Sequence, residues 1–181
     1  MFTVQLGHPK IIQDTPREFE KMQDIFLAVF REVEESAYLF WNDIPIRLRY
    51  REDLYRSFND MLALVWMLQK EPKGSTKATL INQLMEVQLT AKWENDDLSI
   101  DGAFKSFEYL YRPLADALSR QSEIRMSRAQ FLREWKTLFR QLIEVVESSG
   151  HRVQDGVERR RYELLTRVEA SIDSYGLLYV E

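Results

Sequence analysis

Apolar residues recur along this chain at the three- and four-residue spacing of helices, and one stretch is apolar throughout. Met61 to Leu68 is eight consecutive apolar residues between Asp60 and Gln69. A helix that is apolar on every side cannot face water. Eight residues also fall short of the roughly 20 needed to span a bilayer. The stretch therefore predicts the central helix of a folded domain, with other helices packed around it.

The flanking pattern supplies those helices. Phe19, Met22, Phe26, Val29, Phe30, Val33, Ala37, Phe40 and Trp41 form one stripe, opened by Thr15-Pro16-Arg17-Glu18, a capping box with proline at the first helical position. Asn42-Asp43-Ile44-Pro45 breaks it. A second helix is predicted over 46–69, with arginine and tyrosine in its first half and the apolar run in its second. The turn Glu71-Pro72-Lys73-Gly74-Ser75 leads into a third over 76–93, where Leu80, Leu84, Val87 and Ala91 make the stripe. A fourth starts near Ala103, with Phe104, Phe107, Leu110, Tyr111, Leu114 and Leu118 facing inward and Pro113 kinking it.

Ser127-Arg128-Ala129-Gln130 is a second capping box. It opens a fifth helix along Phe131, Trp135, Leu138, Leu142 and Val145, which Ser148-Ser149-Gly150 closes. Asp155-Gly156-Val157-Glu158 opens a sixth, running to about Ser174. Phe2, Val4 and Leu6 alternate with polar residues, as in a short strand. The expected fold is all-α: a compact bundle of about six helices around Met61–Leu68, with short extended arms at both termini. The expected organisation is one helical domain, with an N-terminal arm at 1–14, the bundle at 15–174 and a C-terminal tail at 175–181. The stretch from Phe30 to Tyr50 also echoes the chain 112 residues later, Arg47, Arg49 and Tyr50 matching Arg159, Arg161 and Tyr162. That suggests a duplicated helical hairpin.

Composition supports a folded domain. Of 181 residues 45% are hydrophobic and 30% charged, with only 6 Gly and 5 Pro. There is no cysteine, so disulfides, thiolate nucleophiles and Cys-ligated metals are excluded. No leader and no membrane-spanning stretch is visible, and the cytoplasm is the expected location. The net charge of -4 is unevenly spread, and 17 of the 25 basic residues are arginine.

Candidate chemistry is sparse. Asp97-Leu98-Ser99-Ile100-Asp101-Gly102, followed by Glu108, has the outline of a calcium-binding EF-hand loop. Ile100, Phe104 and Lys105 depart from that pattern, and no second loop exists to pair with it. His8 and His151 look exposed and isolated, so neither a catalytic triad nor a zinc site can be assembled from them. Glu32 with Glu35, and Glu144 with Glu147, could turn carboxylates to one helix face. No cofactor is expected.

Two arginine–tyrosine clusters remain. Arg47, Arg49, Tyr50, Arg51 and Arg56 open the second helix; Arg159, Arg160, Arg161 and Tyr162 lie in the sixth. Arginine and tyrosine are enriched in protein interfaces, and the same pair suits phosphate contact and base stacking. The favoured function is a non-catalytic protein–protein interaction module: an adaptor, regulator, inhibitor or assembly subunit. RNA or DNA binding through the same arginines is the first alternative. A metal-dependent enzyme using Asp96–Asp101 or the Glu pairs is the second. A homodimer through Trp66 is a further expectation, and a membrane is not an expected partner.

Overall fold

In the computed structural model, which describes residues 1–12, 15–30, 36–154, 156 and 159–168, the chain is mixed α/β, not an all-α bundle. The described residues hold nine strands in three sheets. Numbered along the chain, the strands are β1 (Phe2–Gln5), β2 (Glu18–Phe19), β3 (Ser36–Trp41), β4 (Ile44–Arg49), β5 (Lys73–Ile81), β6 (Met85–Glu94), β7 (Asp97–Ser106), β8 (Glu123–Ser127) and β9 (Arg152–Val153). The helices are α1 (Met22–Val29), α2 (Asp53–Lys70), α3 (Arg112–Ser119), α4 (Arg128–Ser149) and α5 (159–168).

The largest correction is at 73–106. β5, β6, β7 and β8 form one antiparallel sheet in chain order, where a third helix and the start of a fourth were expected. Met85, Val87, Leu89, Ala91 and Trp93 are all buried, and polar residues alternate with them. A strand places every second residue on one face. A helix would scatter these five over two sides. Leu80, Leu84, Val87 and Ala91 happen to satisfy helical spacing as well, and burial of the full alternating set decides for the sheet.

The first expected helix is divided. Glu18–Phe19 pairs in parallel with Arg152–Val153 as β2 and β9. Helix α1 begins after Lys21, not at Thr15-Pro16. Ala37, Leu39 and Trp41 are buried on β3, again at period two. β3 and β4 form a hairpin, and β1 joins β3 as its outer strand. The two residues between β3 and β4, Asn42 and Asp43, have φ of 46° and 68°. Positive φ at both positions is the geometry that closes a two-residue hairpin, so the expected helix break is a hairpin turn.

Helix α2 contains the apolar run but does not submerge all of it. Met61, Leu62, Leu64, Val65 and Leu68 are buried. Ala63 and Met67 face solvent, and Trp66 is half-buried under the Lys70 ammonium, 4.9 Å from its ring centroid. The helix therefore lies with one face on β5 and with α1 and α4 beside it, rather than inside a ring of helices.

Two helical expectations match. Ser127 caps α4, its Oγ accepting the Gln130 N–H at 3.0 Å, and Gly150 ends it at φ 69°. Pro113 kinks nothing, because it lies in the first turn of the short helix α3, where its missing N–H costs no helical bond. α5 covers part of the expected sixth helix; the remainder, and the tail at 175–181, lie outside the described residues.

Trp41 joins the two larger sheets. Its ring meets Phe2 and Phe104 edge-on at 6.4 and 5.3 Å, and its Nε1 donates to the Gln121 carbonyl at 2.9 Å. Among the described residues the 112-residue echo has no structural counterpart. Arg47 and Arg49 are on a strand and Arg159 and Arg161 on a helix, while Glu32 to Glu35 lie outside the described residues. No helix among the described residues is long and apolar enough to cross a membrane.

Candidate functional site

The first arginine–tyrosine cluster is built largely into the protein. Arg49, at the end of β4, is 3% exposed. Its Nη2 reaches Glu52 and, at 3.4 Å, Asp53 Oδ1. Asp53 Oδ2 also accepts the Arg49 backbone N–H at 2.8 Å. This carboxylate is therefore fixed at the strand-to-helix corner where α2 begins. Burial pushes its pKa up, the hydrogen bonds and charge of Arg49 pull it back only in part, and Glu52 adds a smaller upward push.

Tyr50 is fully buried. Its ring lies 5.1 Å from that of Phe30, and its hydroxyl donates to Gln141 Oε1 and accepts the Gly7 N–H. Arg47 faces outward on β4 and its Nε donates to Ser36 Oγ at 2.7 Å. Arg51 is half-buried and Arg56 exposed.

The second cluster lies on α5, beside the end of α4. Arg159 is 3.6 Å from Glu163. Arg160 is exposed and Arg161 half-buried. The Tyr162 hydroxyl donates to Glu147 Oε1 at 3.1 Å. Its pKa is pushed up to about 12, first by partial burial and then by the hydrogen bond and charge of Glu147.

Arg159, Tyr162 and Glu147 share a cleft of about 470 Å³ with Glu18, His151 and Arg152. His151 is 5% exposed, against the expectation of an exposed histidine; His8 is exposed as expected. His151 Nδ1 accepts the Arg17 N–H at 3.1 Å and its ring stands edge-on to Phe19 at 5.2 Å. It serves there as the clasp between the β2–β9 pair and the end of α4.

The expected acidic loop is strand. Asp97, Ser99 and Asp101 alternate along β7 on the outer face of the sheet, and two strands flank the turn where the EF-hand outline needs helices. Asp96 Oδ1 accepts the Ala129 N–H at 2.9 Å, so that carboxylate stabilises the start of α4. Among the described residues no group of three or more His, Asp or Glu is placed to hold a metal ion.

A surface of another kind lies between β7 and α3. Phe107, Tyr109 and Leu110 are 49%, 85% and 74% exposed, while most other large apolar side chains among the described residues are enclosed. Arg112 and Pro113 follow, also exposed. Sequence spacing had assigned Phe107 and Leu110 to an inward stripe. The signal that could have found them is Pro113: read as a helix start, it leaves 107–111 ahead of the helix with no core to face.

Comparison with protein-family models, with curated proteins and with solved structures gives no match.

Proposed function

We propose that this protein is a non-catalytic protein–protein interaction module, acting in the cytoplasm, whose contact surface centres on Phe107, Tyr109 and Leu110. The observation that carries this is the exposure of three large apolar side chains within four consecutive residues. Exposed apolar clusters of this kind mark sites covered by a partner, and aromatic residues dominate interface energetics. Arg112 extends the surface with a residue type that interfaces favour. The arginine–tyrosine clusters lend less support than their composition suggested, because buried Tyr50 has no face for a partner or a base.

The test is a photo-crosslinking amino acid placed at Leu110 in the full chain, expressed in its own cells, with Glu144 on α4 as an exposed control position. The expected result is one protein adduct at Leu110 that disappears when Phe107 and Tyr109 are changed to Ser. A nuclease-sensitive adduct, or equal labelling from both positions, refutes the proposal.

A further inference from the structure

The four-stranded sheet ends on one side at β5, and α2 covers only half of that edge. The Thr79 N–H donates to Asp60 Oδ2 and the Ile81 N–H to Ser57 Oγ, both at 2.8 Å. These bonds show that odd-numbered residues of β5 turn their backbone groups away from β6. In an antiparallel strand that direction repeats at every second residue. The N–H and C=O of Ser75 and Lys77 therefore point outward from the same edge. They have no hydrogen-bond partner among the described residues, and Lys73, Ser75 and Lys77 are all exposed.

We propose that this open half of β5 is a docking edge for an extended, acidic segment of a partner protein, added as a further strand of the sheet. The proposal deepens the interaction reading at a second surface and stands or falls separately from the one around Leu110.

Charge selects the occupant. Lys73 is paired with Glu94 at 2.8 Å. Lys77, and Lys92 opposite Ser75 on β6, have no carboxylate within salt-bridge distance among the described residues. A second copy is disfavoured, because antiparallel self-pairing about Ser75 sets Lys73 against Lys77 of the copy, twice. Like charges directly opposite destabilise a strand pair, and edge lysines commonly prevent self-association for this reason. An acidic strand meets the same lysines with opposite charge, while its backbone satisfies Ser75 and Lys77. A shallow basin of about 880 Å³ on the adjoining sheet face, whose charged border is Lys73, Lys92 and Arg125 against Glu94 and Asp97, leaves room beside the edge for its side chains.

The test uses the full chain and a capped heptapeptide, Thr-Glu-Val-Glu-Val-Glu-Thr, read by amide hydrogen exchange. Saturating peptide is expected to slow exchange at Ser75 and Lys77 at least about tenfold and to leave Ile81 unchanged. K77E/K92E is expected to weaken binding at least about tenfold. S75P is expected to abolish it, since proline removes the outward N–H at a position where an edge strand tolerates it. Unchanged exchange along β6 and β7 shows that both variants fold. The proposal is overturned by no protection at about 1 mM peptide, by equal binding of the peptide with Lys in place of Glu, or by protection of Ser75 that depends on protein concentration alone. Changing Tyr109 and Leu110 to Ser should leave peptide binding intact, which separates this surface from the other.

Discussion

The buried pair Arg49–Asp53 sets up the sharpest test of the stability argument. Both side chains are under 5% exposed, and Asp53 holds the Arg49 backbone N–H as well as its guanidinium. Removing one partner from a buried ion pair costs about 3–5 kcal/mol, because the other charge stays behind uncompensated. For a chain of this length each kcal/mol lowers Tm by about 2–4 °C, so R49M should lower it by roughly 6–20 °C at neutral pH. D53N should cost less, since Asn keeps an acceptor for the Arg49 N–H and Glu52 still balances the guanidinium. R49M/D53N removes both charges and keeps that acceptor, and should lie within about 1 kcal/mol of the parent. The coupling energy is then at least about 2 kcal/mol.

The penalty should also depend on pH. Burial already raises the Asp53 pKa above the usual 3.8, and loss of Arg49 raises it further. A carboxyl with a raised folded pKa favours the native state fully below its unfolded pKa, and that contribution is lost as pH rises through the folded value. The cost of R49M should therefore be small near pH 4 and grow toward neutrality. Urea unfolding followed by tryptophan fluorescence, at about pH 4 and about pH 7, reads both quantities. Single-variant costs that add within about 0.5 kcal/mol, or an R49M cost independent of pH, would refute the reasoning.

Three further outcomes follow from local geometry. D43G should stabilise the protein by about 0.5–1 kcal/mol, because Asp43 sits at φ 68° in a turn that glycine occupies without steric cost; thermal unfolding checks it. Q69M should raise Tm by about 2 °C or more, since neither polar atom of the buried Gln69 amide has a hydrogen-bond partner among the described residues and a buried unpaired amide costs about 1–3 kcal/mol. S57A should cost about 1–3 kcal/mol and speed exchange of the Ile81 amide, because Ser57 Oγ both accepts from and donates to Ile81; an unchanged Ile81 amide would show that the helix does not guard this edge.

How much of this was legible in the sequence depends on how many signals agreed. Helix α4 was, because cap, stripe and terminal glycine all named the same boundaries. The sheet was not, because β5 and β6 carry apolar residues that satisfy two periods at once. Leu80, Val87 and Ala91 fit a helix, and so do Met85, Leu89 and Trp93 at four-residue spacing, while only the unbroken alternation from Met85 to Trp93 favours a strand. The decisive signs were the short ones. Asn42-Asp43 and Asn95-Asp96 each separate two strands by two residues, and Asn42, Asp43 and Asn95 all take positive φ. Asparagine and aspartate tolerate that conformation better than other side chains.

The candidate surfaces divide along the same line. Arg49 and Tyr50 were visible as residues that something must bind, and what binds them is the protein itself. The corner between β4 and α2 buries an arginine that, among the described residues, Asp53 and Glu52 neutralise, and neither partner is apparent until strand and helix are folded against each other. An arginine three or four residues before acidic residues at a helix start is thus better evidence for an internal ion pair than for a binding face. The open half of β5 inverts the case. Lys73 and Ser75 look like ordinary turn residues after Pro72, and Lys77 like the first turn of a helix. They become a docking edge only because Ser57 and Asp60, on the helix before them, stop short of covering the strand. What a strand offers a partner is decided by which of its backbone groups the rest of the fold leaves unused.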